Sequence, residues 1–231
     1  MMYPIVILAG GTGSRLGRLT SKTPKALIEI ENKPFIHYQL QQLSKQGFRD
    51  VLICAGYLSS HIKKFVGSGK RFNLNIKYSI EKKELLGTAG AIRKALPLLN
   101  DNFFIIYGDT YLPIKFKNLQ QIYIKKKANA LITIYKNKNK LDKSNVCFKE
   151  KNIYYEKNNN NKNMNYIEYG VSILNKNIFN YQKLKQASDL SKVFNYLSKK
   201  KILKHVIVRR RFYEIGSLSG LLQTKKYFLK K

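Results

Sequence analysis

The sequence predicts an α/β fold in three layers, with helices on both faces of a mainly parallel, mixed central sheet. Two observations carry this expectation. Short runs of β-branched and aromatic residues are apolar at nearly every position, and amphipathic helical segments alternate with them as far as Tyr135. A strand that is apolar throughout has to be covered on both faces, and short strand–helix–strand connections favour parallel neighbours. The arrangement is Rossmann-like.

The expected buried strands are Pro4–Ala9, Val51–Ala55, Ile76–Ile80, Phe103–Tyr107 and Ala130–Tyr135. Between them, Ile36, Leu40 and Leu43 recur at i, i+4, i+7, with Gly47 as a stop. A second helix opens near His61. Ile92, Ala95, Leu96 and Leu99 repeat at i, i+3, i+4, i+7, as do Leu190, Val193, Phe194 and Leu197 behind an Asp189 cap, and a last helix follows Ser217. Beyond about Thr133 the pattern changes to short strands, Val146–Phe148, Ile153–Tyr155 and Tyr169–Leu174, around a Lys/Asn-rich loop. This part is expected to extend the same sheet and close over its edge. Residues 1–231 then form a single domain with a first part, 1–135, and a second, 136–231; no linker or internal repeat divides them.

Hydrophobic residues make up 44% of the 231, enough for a substantial core, which excludes a disordered chain. No apolar run approaches the roughly 18 residues of a membrane helix. No basic residue precedes the short apolar stretch at the N-terminus, so a secretory signal is not expected and a cytoplasmic location is. Cys54 and Cys147 stand singly in apolar surroundings, without CxxC spacing, which argues against a disulfide framework or a Cys-based zinc site.

The net charge of +31 invites a nucleic-acid reading. Its make-up argues otherwise. Of 44 basic residues 36 are Lys and 8 are Arg, and they spread through every segment together with 21 Asn, ending in the Asn158–Asn161 run. A groove reader would concentrate Arg and aromatics on one element. The bias reads as decoration of solvated faces, with no specific nucleic-acid partner expected.

In a sheet of this kind, ligands bind beyond the carboxyl ends of the strands. After the first strand comes Leu8-Ala9-Gly10-Gly11-Thr12-Gly13-Ser14-Arg15-Leu16-Gly17. Glycines let backbone N–H groups approach phosphate oxygens closely. A Walker loop is excluded, since no GxxxxGK[ST] occurs, and a dinucleotide fingerprint fails because Leu16 stands where its third glycine belongs. What remains is a nucleoside triphosphate loop that carries its own cation, Arg15, with Lys25 following in Thr23-Pro24-Lys25.

The run Leu8 to Leu16, then Leu19-Thr20 and Pro24-Lys25-Ala26-Leu27, resembles the opening of the sugar-1-phosphate nucleotidyltransferases. Ser14 replaces a usual Thr and Arg18 a usual Pro. The resemblance continues through Pro34-Phe35-Ile36, Gly87-Thr88-Ala89-Gly90 and Gly108-Asp109-Thr110 to Glu214-Ile215-Gly216, and so covers essentially the whole chain in order. Small bacterial guanylyltransferases for heptose or mannose 1-phosphates look most similar, followed by a group of uridylyltransferases of like size.

This resemblance implies that a sugar phosphate oxygen attacks the α-phosphorus of a nucleoside triphosphate and expels pyrophosphate, giving a nucleotide sugar for cell-surface glycans. The nucleophile is already largely anionic at pH 7, since the second phosphate pKa is about 6, so no general base is required. Catalysis reduces to positioning two polyanions and neutralising charge. Arg15, Lys25 and Asp109 are the implied catalytic residues, and Leu8 to Arg15, Glu81, Gly87 and Thr88 the nucleotide contacts. Gly108, Glu156, Lys157 and Gly170 are implied on the sugar phosphate; residues 1–135 then form the nucleotide part and 136–231 the sugar part. Mg²⁺ is the implied cofactor, on Asp109 with Glu214 as second carboxylate. Glu214 is one methylene longer than the family's Asp, which leaves direct ligation, ligation through water, or service to the following helix N-terminus open. Asn158 stands for the Pro of the family's Glu-Lys-Pro element, so the sugar loop diverges here. Glu168, next to Tyr169-Gly170, suits a sugar hydroxyl or a strand-end charge.

Glu81 follows the third strand and is the candidate base reader. A carboxylate accepts both N1–H and the N2 amine of guanine, whereas uracil presents one N–H between two carbonyls. GTP is therefore the expected donor, with UTP or CTP as alternatives. The competing reading of another class is a non-catalytic polyanion binder on a nucleotide-binding fold. His37, His61 and His205 form no metal or nucleophile set. No membrane partner is expected, and a homodimer is the one protein partnership left open.

Overall fold

The structure is a computed structural model that describes residues 1–81, 84–157, 163–180 and 187–230. Its strands are β1 (Ile5–Ala9), β2 (Glu29–Ile30), β3 (Lys33–Pro34), β4 (Asp50–Ala55), β5 (Asn75–Ile80), β6 (Asn102–Tyr107), β7 (Thr110–Tyr111), β8 (Ala130–Lys136), β9 (Val146–Lys149), β10 (Asn152–Tyr155), β11 (Tyr166–Asn175), β12 (Lys204–Val208) and β13 (Tyr213–Glu214). The α-helices are α1 (Phe35–Lys45), α2 (Ser59–Val66), α3 (Gly87–Ala95), α4 (Phe116–Lys125), α5 (Leu190–Lys199) and α6 (Leu218–Leu229).

β6, β1, β4 and β5 lie side by side and parallel; β6, β1 and β4 are largely buried on both faces, whereas β5, at the edge, exposes Asn75 and Lys77. β11 pairs antiparallel with β6 on one edge and with β8 on the other, and β8 takes β12 as a parallel neighbour. The sheet is thus mixed and mostly parallel, with β11 as the strand that reverses. Side chains alternate between the two faces as the pleat requires. Ile5 and Ile7 join Ile36 and Leu40 of α1, Ile62 of α2 and Phe116 of α4 in one core layer. Val6 and Leu52 join Ile92 of α3 and Phe194 of α5 in the other.

The predicted buried strands all occur, most of them a residue or more longer than read. Gly47 ends the first helix with φ +84° and donates its N–H to Ser44 O. Two details differ from the sequence reading. The third helix closes at Ala95 and Leu96–Leu98 continues as a 3₁₀ turn, because Pro97 supplies no N–H for an α-helical bond. Asp189 occupies the N-cap position of α5, yet its carboxylate makes no bond to that helix and faces Thr88 instead. The Asn158–Asn161 run lies outside the described residues.

Two glutamines of α1 and a third, Gln46, just past its end fasten the segment after β6. Gln39, 1% exposed, donates through Nε2 to Tyr107 O (2.9 Å) and Thr110 O (2.8 Å). Gln42 donates to Leu112 O at 2.6 Å. Gln46 donates to Ile114 O and accepts from Phe116 N, both at 2.9 Å.

Candidate active site

The glycine loop leaves β1 at Ala9 and is tied back on itself. Gly13 adopts φ +73° with its Cα against Thr20, whose hydroxyl donates to Gly13 O at 2.9 Å, so a Cβ there would meet Thr20 Cγ2 at 2.7 Å. Gly10 and Gly11 instead face a cavity of about 280 Å³. Its wall is completed by Leu8, Ala9, Lys25, Glu81, Gly87, Thr88 and Gly108 among others. Most of the expected nucleotide residues therefore border one hollow beyond the carboxyl ends of β1, β4, β5 and β6. Glu81 enters it between Gly10 and Gly56, accepting Leu86 N–H on Oε2 at 3.0 Å. Burial raises its pKa, opposed by that N–H and by the charge of Lys94. Gly108, read as a sugar-phosphate contact, borders this first cavity, and its Cα passes so close to β1 that a Cβ would meet Leu8 O at 2.9 Å.

A second cavity of about 340 Å³ continues from the first, sharing Thr88, Tyr107, Asp109 and Asp189 with it. Its walls come from Arg15, Lys157, Glu168, Gly170, Arg211, Glu214 and others scattered along the chain. A bulge in β11 between Glu168 and Ser172, centred on Gly170 at φ +111°, shapes one side. Glu168 Oε1 accepts Gly170 N–H at 3.0 Å, and its carboxylate also accepts the Tyr107 hydroxyl. Burial pushes the Glu168 carboxyl up to about 7, against those bonds and the charge of Lys157. Glu156 of the expected Glu-Lys pair turns away from this cavity, accepting from Asn195 Nδ2 at 2.9 Å, whereas the exposed Lys157 borders it.

Where the cavities meet, the charged residues converge. β13 pairs antiparallel with β7, setting Glu214 opposite Thr110, and Ile215 N–H donates to Asp109 O at 2.9 Å. Lys25 Nζ stands 3.0 Å from Asp109 Oδ2, with only 16% of its side chain exposed, while the Thr110 hydroxyl donates to Asp109 Oδ1 at 3.0 Å. Gly216 lies in the midst. A Cβ there would meet Glu214 Oε2 at 2.8 Å, Arg15 Nη2 at 3.2 Å and Asp109 Oδ2 at 3.3 Å. Arg15 spans from the glycine loop to this point, and its outer edge reaches Asp142 at 4.0 Å. Glu214 also accepts Gly216 N–H and, at 2.5 Å, the Ser217 hydroxyl, so it serves the N-terminus of α6 as well.

Two carboxylates, Asp109 and Glu214, thus come together beside buried Gly216 with the Arg15 and Lys25 cations next to them. Among the described residues no three His, Cys, Asp or Glu side chains gather closely enough to hold a metal by themselves, so bound phosphates would have to supply the remaining ligands. Cys54 borders the first cavity but is inert, its thiol pushed up to about 12 by burial. Tyr107, Asp189 and Arg211 border these cavities without having been read as site residues: Tyr107 was read as a strand end and Asp189 as a helix cap. Each is a lone residue whose importance comes from which cavity it borders. The three consecutive arginines at 209–211, in a chain with 8 Arg in all, were the available signal for Arg211.

Among the described residues no helix is long and apolar enough to cross a membrane. A family profile described as Nucleotidyl transferase matches residues 5–231. The D-glycero-α-D-manno-heptose 1-phosphate guanylyltransferase of Aneurinibacillus thermoaerophilus is 33% identical over 217 residues, which span 90% of this chain and 86% of that protein. The N-acetylmuramate α-1-phosphate uridylyltransferase of Neisseria meningitidis serogroup B is 39% identical over 112 residues, 48% of each chain. In three dimensions, HddC of Yersinia pseudotuberculosis superposes with a TM-score of 0.80 at 24% identity, covering 98% of this chain and 100% of that one, which speaks to the fold. The profile match along nearly the whole length, and the long alignment to the guanylyltransferase, make the chain a member of the nucleotidyl transferase family.

Proposed function

We propose that the protein transfers GMP from GTP to a heptose or mannose type sugar 1-phosphate, releasing pyrophosphate. The observation that carries this reading is the meeting of Arg15, Lys25, Asp109 and Glu214 at the junction of two adjoining cavities. One cavity has the small-residue wall that a nucleotide needs and the other the polar wall that a sugar needs. Arg15, a planar fork, would grip phosphate oxygens of the donor, and Lys25 would neutralise charge as it builds at the transferring phosphorus. Glu81 supports GTP as donor because its Oε1 is not engaged by Leu86 N–H and can accept from guanine. Lys157, Gly170 and Arg211 are the proposed contacts to the sugar phosphate.

Mg²⁺ held by Asp109 and Glu214, and completed by phosphate oxygens, would screen the two polyanions from each other. Lys25 keeps Asp109 oriented through their 3.0 Å ion pair, and the Thr110 hydroxyl fixes its second oxygen. As a consumer of nucleoside triphosphate, the enzyme would work in the cytoplasm. The similarity to a uridylyltransferase over half the chain supports UTP as the second candidate donor.

Pyrophosphate release tests the reading. The purified chain with Mg²⁺ should release it from GTP in the presence of D-glycero-α-D-manno-heptose 1-phosphate or mannose 1-phosphate, and not with either substrate alone. Absence of release across four nucleoside triphosphates and a panel of hexose and heptose 1-phosphates would overturn it.

A further inference from the structure

Thr88 and Asp189 border both cavities, yet they come from opposite halves of the chain. The contacts around them form one brace between the start of α3 and the start of α5. Ser188 N–H donates to Leu86 O at 2.8 Å, and Ser188 O accepts Ala89 N–H at 2.8 Å and Gly90 N–H at 3.1 Å. The N-terminal N–H groups of α3 are thus satisfied by the chain leading into α5. The exchange runs the other way as well: Thr88 Oγ1 accepts Leu190 N–H, the first residue of α5, at 2.7 Å. Asp189 Oδ1 faces Thr88 N and Oγ1 at 3.4 and 3.5 Å. Gly87 makes the fit feasible. At φ +68° it lies so close to this segment that a Cβ would meet Ser188 O at 2.7 Å.

α3 therefore takes its N-terminal partners from the segment leading into α5, and α5 takes one of its own from α3, so the two walls cannot part without leaving N–H donors unpaired. We infer that Thr88 is a positioning residue through which occupation of the nucleotide cavity and occupation of the sugar cavity favour each other. The inference rests on the two-cavity reading of the proposed function. The physical need is plain: in-line transfer demands that both phosphates be fixed to within a fraction of an ångström, and a nucleotide that orders residues 86–90 also orders 188–191 through these bonds. Ser191 of α5 borders the sugar cavity, so ordering is delivered where the acceptor binds.

The test is equilibrium binding to the full chain with Mg²⁺, using a GTP analogue methylene-bridged between the α- and β-phosphates. Its affinity is measured with and without saturating D-glycero-α-D-manno-heptose 1-phosphate. In the unaltered chain the sugar phosphate should tighten the analogue by at least about fivefold. Thr88→Val, which keeps the volume and removes the acceptor for Leu190 N–H, should reduce that factor below about twofold. Thr88→Ser should restore it. Gly87→Ala, whose methyl would press on Ser188 O, should reduce it with Thr88 intact. Melting by circular dichroism accompanies each variant, because a merely structural role would lower the midpoint and leave the coupling factor unchanged. An unaltered chain that binds both ligands without mutual effect, or a factor untouched by Thr88→Val and Gly87→Ala, overturns the inference and leaves the proposed function standing. A chain that binds neither ligand overturns both.

Discussion

The two cavities solve recognition in opposite ways. The first cavity, the proposed nucleotide site, has small residues in its wall, Ala9, Gly10, Gly11, Gly87 and Gly108 among them, so that main chain borders it closely. The second cavity, the proposed sugar site, has long polar side chains in its wall, Arg15, Lys140, Lys157, Glu168, Arg211 and Gln223, gathered from distant segments. Backbone N–H groups suit a partner whose chemistry never varies, as with the phosphates of any nucleoside triphosphate. Side chains suit a partner that differs from one relative to the next. At Gly87 and Gly108 the first wall admits no Cβ without a clash, whereas the side chains of the second can be re-specified residue by residue.

The comparison breaks most sharply at the junction. Asp109→Asn removes a charge that serves both cavities, and turnover should fall at least ~10²-fold while the melting profile is retained. A rate within threefold of the parent would move the metal and the chemistry elsewhere. A smaller effect, confined to the first cavity, is expected of Glu81→Gln. It should narrow the kcat/KM preference for GTP over UTP by roughly ten- to a hundredfold, the worth of one bidentate base contact. An unchanged ratio would leave base choice to the backbone alone.

The smallest effect belongs to the second cavity and is read as stability. Burial raises the Glu168 carboxyl to about 7 from an ordinary 4.5. Between these values the folded chain binds a proton that the unfolded chain releases, so stability contributed at this site is present at low pH and lost as pH rises through about 7. Glu168→Gln, which cannot ionise, should therefore gain in melting temperature relative to the parent between pH 5 and 8, by a few degrees. A difference that stays flat with pH would mean that Glu168 is charged in the folded protein throughout.

The same contrast governs what could be read from the sequence. The wall of the first cavity was partly legible, because Leu8–Gly11 is one continuous stretch that borders it and Asp109 follows its strand directly, while Thr12, Gly13 and Ser14 border neither cavity and Arg15 borders the second. The β-branched runs of β1, β4, β5 and β6 fixed the sheet that holds them. The wall of the second cavity was legible only in part: Lys157, Glu168 and Gly170 could be read from the sequence, whereas Arg211 and Asp189 join them only through the packing of distant segments. Glu156 shows the limit. It matches the family element beside Lys157 yet turns towards Asn195 on α5, and spacing alone cannot say which of two adjacent side chains faces a cavity. The β7–β13 pair was missed for a related reason: two residues a side give no periodicity to detect.

The three glutamines in and just past α1 bear on how this protein can change. Gln39, Gln42 and Gln46 hold Tyr107, Thr110, Leu112 and Ile114 by their carbonyl oxygens, which every amino acid possesses. The register of the loop carrying Asp109 is thereby guaranteed by the helix and not by the identity of the loop's own side chains. Side chains at the partly exposed positions 113 and 114 can then vary without shifting the aspartate, whereas a single substitution of Gln39 would release both sides of it at once.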